Sequence, residues 1–244
     1  MLFGWFWGDW TVIVLIPGLL LTFWAQIKVK SAYGRYQHEL LPAPMTGAAV
    51  ARRILDANGL SHVPVEMVPG HLSDHYDPRD QVLRLSEAVY HGNNVAAVGV
   101  AAHEAGHALQ DERGYLPLRF RMAMVPVCNI GSHLAMPLFL IGILLGAFYG
   151  SSLVIADWLI FAGIAAFSLS VLFQLVTLPV EFNASRRALR CLEGSGTMTD
   201  EQLKGSRKVL SAAAMTYVAA LAVGFLSLLR LLLIAASVTG RRDR

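Results

Sequence analysis

Charge is scarce in this chain. Asp, Glu, Lys and Arg make up 15% of its 244 residues, and 55% are hydrophobic. A soluble domain carries about 25% charged residues, so the shortfall argues against a water-soluble globule and for an integral membrane protein. Net charge is only +3 and the basic residues are dispersed, so no nucleic-acid surface is expected. Cysteine is nearly absent as well. Cys128 and Cys191 are far apart and fit no C-x-x-C pair, which excludes that kind of metal site and a disulfide-dependent fold. The first apolar run lacks the basic lead-in and small-residue cleavage site of a signal peptide. A retained span is therefore expected.

The apolar residues fall into long runs. Residues 10–27 form the first, flanked by Trp5, Trp7, Trp10 and Trp24 as aromatic belts flank membrane helices, with Pro17-Gly18 as a candidate kink. Only Asp9 precedes it, whereas Lys28, Lys30 and Arg35 follow, so the positive-inside rule places the next segment in the cytoplasm. Pro126 to Ser152 is an uncharged second span and Leu153 to Leu178 a third, joined on the outer side by Gly150, Ser151 and Ser152. Gly142, Gly146 and Gly150 recur every fourth residue, a small-residue face suited to packing within the chain. Val209 to Val238 is the last run, interrupted by Arg230. A charge there is costly unless it snorkels or finds a partner. Arg241, Arg242 and Arg244 would then lie outside, against the positive-inside rule, unless the last segment is re-entrant.

Residues 28–124 read differently, mixing charge with apolar positions. Thr46 to Asn58 has the pattern of a helix capped by Thr46 and stopped at Gly59. Val63 to Val68 and Gln81 to Ser86 are strand candidates. Between them His71 to Asp80 is a polar turn that does not match a calcium loop. Its His75 and Tyr76 are residue types able to stabilise an oxyanion.

The informative stretch is Ala101 to Gln110, which contains His103, Glu104 and His107 in the pattern H-E-x-x-H. On a helix, positions i and i+4 share a face, so two imidazoles can turn to one Zn²⁺ ion. The intervening Glu is placed to take a proton from the water that the metal activates. Asn93 or Asn94 can cap the helix and Gly114 can end it. Gly99 and Gly106 are poor helix formers, at about 1 kcal/mol each relative to Ala, and a closely packed neighbour would account for them.

Two histidines do not complete a catalytic zinc site, which takes three protein ligands and keeps one place for water. The continuation H-x-x-G-x-x-H is missing after His107, where Gln110 stands instead of Gly. Glu181 is the leading third ligand, because the hairpin of spans two and three returns the chain to the histidine side. An ordinary first-turn helix acid is the alternative for Glu181, and His71, His75 and His91 are then the substitutes.

His103-Glu104-Ala105-Gly106-His107, Asp74-His75-Tyr76-Asp77-Pro78 and the run Glu181 to Ala188 (EFNASRRA) together resemble the YugP-type membrane zinc metallopeptidases, over nearly the whole chain. More distantly the chain is similar to the HtpX and CAAX-prenyl endopeptidases, which pair H-E-x-x-H with a downstream Glu. The resemblance implies a membrane-bound gluzincin with His103, His107 and Glu181 on Zn²⁺ and Glu104 as general base. The distant relatives carry an Asp four residues after the Glu ligand that orients a ligating His. Ser185 occupies that position here, a weaker orienting group, and Asn183 is a second candidate for the role.

The expected protein is mainly α and integral to the membrane, with about four transmembrane helices and a gluzincin-like zinc domain containing a small β-sheet. Its expected parts are an anchor at 1–27, a zinc-binding domain at 28–124, a transmembrane hairpin at 125–178, a helix completing the site at 179–208, and a last span with a basic tail at 209–244. It is expected in the cytoplasmic membrane with its catalytic domain inside, hydrolysing a peptide or membrane-protein substrate. An apolar substrate segment is expected along Gln81 to Ser86 by strand addition. The competing reading is a non-proteolytic scaffold with a structural zinc, a site that ordinarily has four protein ligands and gives Glu104 no task.

Overall fold

The computed structural model describes residues 10–42, 45–149 and 154–239. Trp5, Trp7, Asp9, Pro44, the turn of Gly150, Ser151 and Ser152, and Arg241, Arg242 and Arg244 lie outside the described residues. A 3-10 turn, Trp10–Leu15, leads into α1 (Ile16–Tyr36), followed by α2 (Gly47–Ala57), β1 (Val65–Val68), β2 (His75–Asp77), β3 (Val82–Ser86), α3 (Glu87–Tyr90), α4 (Val95–Glu112), α5 (Leu116–Tyr149), α6 (Val154–Ser195) and α7 (Asp200–Thr239). The first of these helical stretches and α5, α6 and α7 are long and apolar enough to cross a membrane. The 42 residues of α6 extend about 63 Å, roughly twice the ~30 Å of a bilayer's hydrocarbon layer.

The chain divides into two compact units. One is drawn from residues 1–24, 120–176 and 217–244. Its core contains Phe139, Ile143, Ile160, Ile164, Leu231 and Ala235. The backbones of α5 and α6 approach closely here. A Cβ on Gly142 would stand 2.7 Å from the Ala156 carbonyl oxygen, and one on Gly163 would stand 2.7 Å from that of Ala135. Gly142 thus packs within the chain, as small residues do between membrane helices. Arg230 donates from Nε to Thr11 Oγ1 at 3.2 Å. α7 runs unbroken through Arg230.

The other unit comprises residues 25–119 and 177–216. α2 begins where the Thr46 hydroxyl accepts from Ala49 N, and the chain turns away at Gly59, whose φ of +79° suits glycine. β3 is the middle strand, parallel to β1 and antiparallel to β2. Its side chains Leu83 and Leu85 are buried beneath α2 and α4 in a core that includes Val50, Leu55, Val98 and Leu192. Two expectations are corrected here. The His71 to Asp80 turn contains a short strand, β2, held in place where Asp74 Oδ1 accepts from Ser86 N at 2.8 Å. Because β1 and β2 occupy both edges of β3, a substrate segment cannot add to Gln81–Ser86, and the free sheet edges belong to β1 and β2.

Pro179 is a third point of difference. It reads as the start of a new helix, yet α6 continues through it to Ser195. An interior proline costs a hydrogen bond and about 3 kcal/mol. Packing offsets that cost: Val180, Ala184, Ala188 and Leu192 form an i, i+4 stripe, all fully or almost fully buried.

Candidate metal centre

α4 is built to carry the motif. Asn94 caps it by accepting from Ala97 N at 2.9 Å, and Gly114, at φ +59°, lets the chain leave after the last turn. Nearly the whole helix is buried, and its two interior glycines lie where neighbours come close. A Cβ on Gly106 would meet the Ala184 carbonyl oxygen at 2.6 Å, and one on Gly99 would meet Ser206 Oγ at 3.2 Å. Gly106 therefore sets how closely α4 and the C-terminal part of α6 approach.

That approach brings three groups together. Glu181 Oε2 lies 3.3 Å from His103 Nε2 and 3.8 Å from His107 Nε2. The two imidazole rings are edge to face, with centroids 4.8 Å apart. Glu181 is 3% exposed. Among the described residues, His103, His107 and Glu181 are the group that could hold a metal ion, with ligand atoms all within 4.8 Å of one another.

The donor set fits zinc. Each ring has its other nitrogen occupied: His103 Nδ1 meets Ser185 Oγ at 3.1 Å, and His107 Nδ1 meets Gln110 Oε1 at 3.0 Å. Both Nε2 atoms therefore face the Glu181 carboxylate. Two imidazoles and one carboxylate, each ring oriented from behind, is a donor set of catalytic zinc. Glu104 is buried on the same helix, beside His103. Burial by itself pushes the His107 pKa down, but the hydrogen bond to Glu181 and the charges of Glu104 and Glu181 outweigh it. The His107 pKa is raised above its ordinary value.

Tyr76 and His75 are not part of this cluster. The Tyr76 hydroxyl donates to Asp111 Oδ2 at 2.9 Å, one helical turn beyond His107, and its pKa is raised by burial and by that hydrogen bond. Tyr76 and Asp111 line a cavity of about 110 Å³ with His62, Gln81 and Glu112. His75 is exposed, and its Nδ1 lies 2.7 Å from Ser73 O. Asn183 does not reach a ligand directly: its Oδ1 accepts from Gln110 Nε2 at 3.0 Å. Gln110 is the residue that sequence reasoning passed over. Its signal was its place three residues after His107 on the same helix face.

The family described as "Putative neutral zinc metallopeptidase" matches residues 11–236. A protein of Bacillus subtilis (strain 168) described as "Putative membrane protease YugP" is 49% identical over 223 residues, which is 91% of this chain and 95% of that relative. No solved structure matches the chain.

Proposed function

Because this chain belongs to the neutral zinc metallopeptidase family and carries helices suited to a membrane, we propose that it is a membrane-bound endopeptidase of gluzincin type. His103, His107 and Glu181 hold the zinc and Glu104 is the general base. The observation that carries this reading is the meeting of both Nε2 atoms at one Glu181 oxygen, 3.3 and 3.8 Å away. When bound, zinc supplies a Lewis acid that polarises the scissile carbonyl and acidifies a water. Glu104 takes the proton of the attacking water as the new C–O bond forms, and delivers it to the amide nitrogen as the C–N bond breaks. Glu181 brings negative charge to the metal, while the neutral imidazoles are fixed by Ser185 and Gln110. His75 and Tyr76 on β2 are the proposed oxyanion donors; for Tyr76 this requires its proton to turn from Asp111.

A structural zinc would ordinarily call for a fourth protein ligand, and three are grouped among the described residues. The substrate is a peptide or an accessible segment of a membrane protein. The enzyme works in the cytoplasmic membrane, embedded in the lipid bilayer, with the zinc site on the cytoplasmic side, as Lys28, Lys30 and Arg35 after the first span support.

Zinc content and peptidase rate, measured together on purified variants, test the assignment. Glu104→Gln should keep its zinc and lose about 10²- to 10⁴-fold in rate, the usual contribution of a general base. Glu181→Ala should lose both zinc and rate, whereas Glu193→Ala, on an exposed position of the same helix, should lose neither. Turnover of Glu104→Gln within a few-fold of the parent overturns the base assignment. Stoichiometric zinc in Glu181→Ala overturns the ligand set.

A further inference from the structure

His107 ends a chain of hydrogen bonds whose direction is fully determined. Arg187 Nε donates to Asn183 Oδ1 at 2.7 Å. A guanidinium has donors only, so the Asn183 atom facing it must be the oxygen. That oxygen also accepts from Gln110 Nε2 at 3.0 Å, and the same nitrogen donates to the Val180 carbonyl at 2.8 Å. Both partners are acceptors. The Gln110 amide nitrogen is therefore turned toward α6, which leaves Oε1 toward His107 Nδ1, 3.0 Å away. An amide oxygen can only accept. The proton of neutral His107 consequently sits on Nδ1 and the lone pair on Nε2, the atom that faces Glu181. Gln110 is 0% exposed, so bulk water cannot replace it. Arg187 is itself placed over the Tyr115 ring, 5.9 Å from its centroid.

We infer that Gln110 is the positioning residue of the metal centre. It sets the tautomer and ring angle of His107 and ties α4 to α6 beside Glu181, with Asn183 and Arg187 fixing its own orientation. The other histidine has no such lock, because the Ser185 hydroxyl can donate or accept. An amide also orients the ring without adding another negative charge beside Glu104 and Glu181. This rests on the proposed zinc role of His107, and extends it to residues that touch neither metal nor substrate.

The test uses the full-length protein in detergent. Imidazole ¹H–¹⁵N correlations of zinc-free protein at alkaline pH report which His107 nitrogen carries the proton, the signal being assigned by its loss in His107→Ala. A chelator competition gives the zinc dissociation constant. The parent should show a single Nδ1–H tautomer. Gln110→Met, which keeps the shape and loses the hydrogen bonds, should show mixed tautomers and bind zinc about 10- to 100-fold more weakly, the usual effect of removing a ligand's orienting partner. Should Gln110→Met not fold, Asn183→Leu should weaken zinc in the same direction, while Asn183→Asp, which still accepts from both donors, should restore parent behaviour. A space-filling role would move neither the tautomer nor the contrast between Leu and Asp. An Nε2–H tautomer in the parent overturns the inference. So does parent-like zinc affinity in folded Gln110→Met or, where that variant is unfolded, in Asn183→Leu. If His107→Ala binds zinc as tightly as the parent, the ligand assignment fails, and the tautomer reading on zinc-free protein still decides what Gln110 does.

Discussion

Ser185 Oγ lies 3.1 Å from His103 Nδ1, although the two residues are 82 apart in sequence. The contact holds the ring so that Nε2 faces Glu181. It comes from the same helix as Glu181, one turn later, so ligand and orienting group move as one piece. Ser185→Ala should therefore weaken zinc binding by about tenfold, the lower end of what loss of an orienting partner costs. Ser185→Asp should bind at least as tightly as the parent, because a carboxylate accepts more strongly from Nδ1–H. Chelator competition measures both. Equal affinity in parent and Ser185→Ala would show that His103 does not depend on this hydroxyl.

Zinc binding should also depend on pH in a direction fixed by His107. Its pKa in the folded, metal-free protein is raised above the ordinary 6.5 by Glu181 and Glu104 against the effect of burial. The stability from that protonated ring is full below the unfolded pKa of about 6.5 and is lost as pH rises through the folded pKa. Zinc takes the ring without its proton. Apparent zinc affinity should thus rise with pH through the folded pKa and level off above it, with proton release on binding. Calorimetry in buffers of different ionisation enthalpy measures that release. Affinity independent of pH from just below 6.5 upward would contradict a protonated His107 in the zinc-free site.

The two histidines proposed to hold zinc were readable because H-E-x-x-H is local: a helical period is enough to put His103 and His107 on one face. Glu181 needed the further step of a returning hairpin. Gln110 stood three residues after His107, but that spacing alone could not single it out, since its partners Val180 and Asn183 lie on another helix and a lone glutamine has no periodicity to detect. β2 is three residues long, too short for alternation to register. Pro179 misled for a different reason. Proline ends a helix whose neighbours are water, whereas here Val180, Ala184, Ala188 and Leu192 pack tightly enough to carry the helix past it.

Sidedness can be tested at positions that the structure leaves open. Leu72 is 83% exposed and Glu193 is exposed. In a background with Cys128 and Cys191 replaced by serine, Leu72→Cys and Glu193→Cys should be shielded from membrane-impermeant thiol reagents in intact cells. Both should react after permeabilisation. The expectation rests on Lys28, Lys30 and Arg35 following the first span. Labelling of both in intact cells would put the zinc site outside.

Gly106 offers a way to disturb the centre without touching any ligand. It sits just before His107 on the side of α4 that faces α6, where an added Cβ would be 2.6 Å from the Ala184 carbonyl oxygen and 3.3 Å from the Ala184 Cα. These are backbone atoms, so no side chain can rotate away. Relief requires the two helices to part, at an overpacking cost of about 1–3 kcal/mol. Glu181 and Ser185 flank Ala184 on α6 and would withdraw together from His103 and His107. A shift of about 1 Å at a reacting centre can cost about a hundredfold in rate. Gly106→Ala should accordingly lower the thermal midpoint, weaken zinc binding and depress turnover by about that factor. Gly99→Ala is the control on the same helix. Its nearest neighbours are the Ser206 side-chain atoms, at 3.2 and 3.3 Å, and these can adjust by a few tenths of an ångström. It should keep parent zinc affinity with a smaller loss of stability. If Gly106→Ala binds zinc as the parent does, the closeness of α4 and α6 at Ala184 is not what sets the geometry of the ligands.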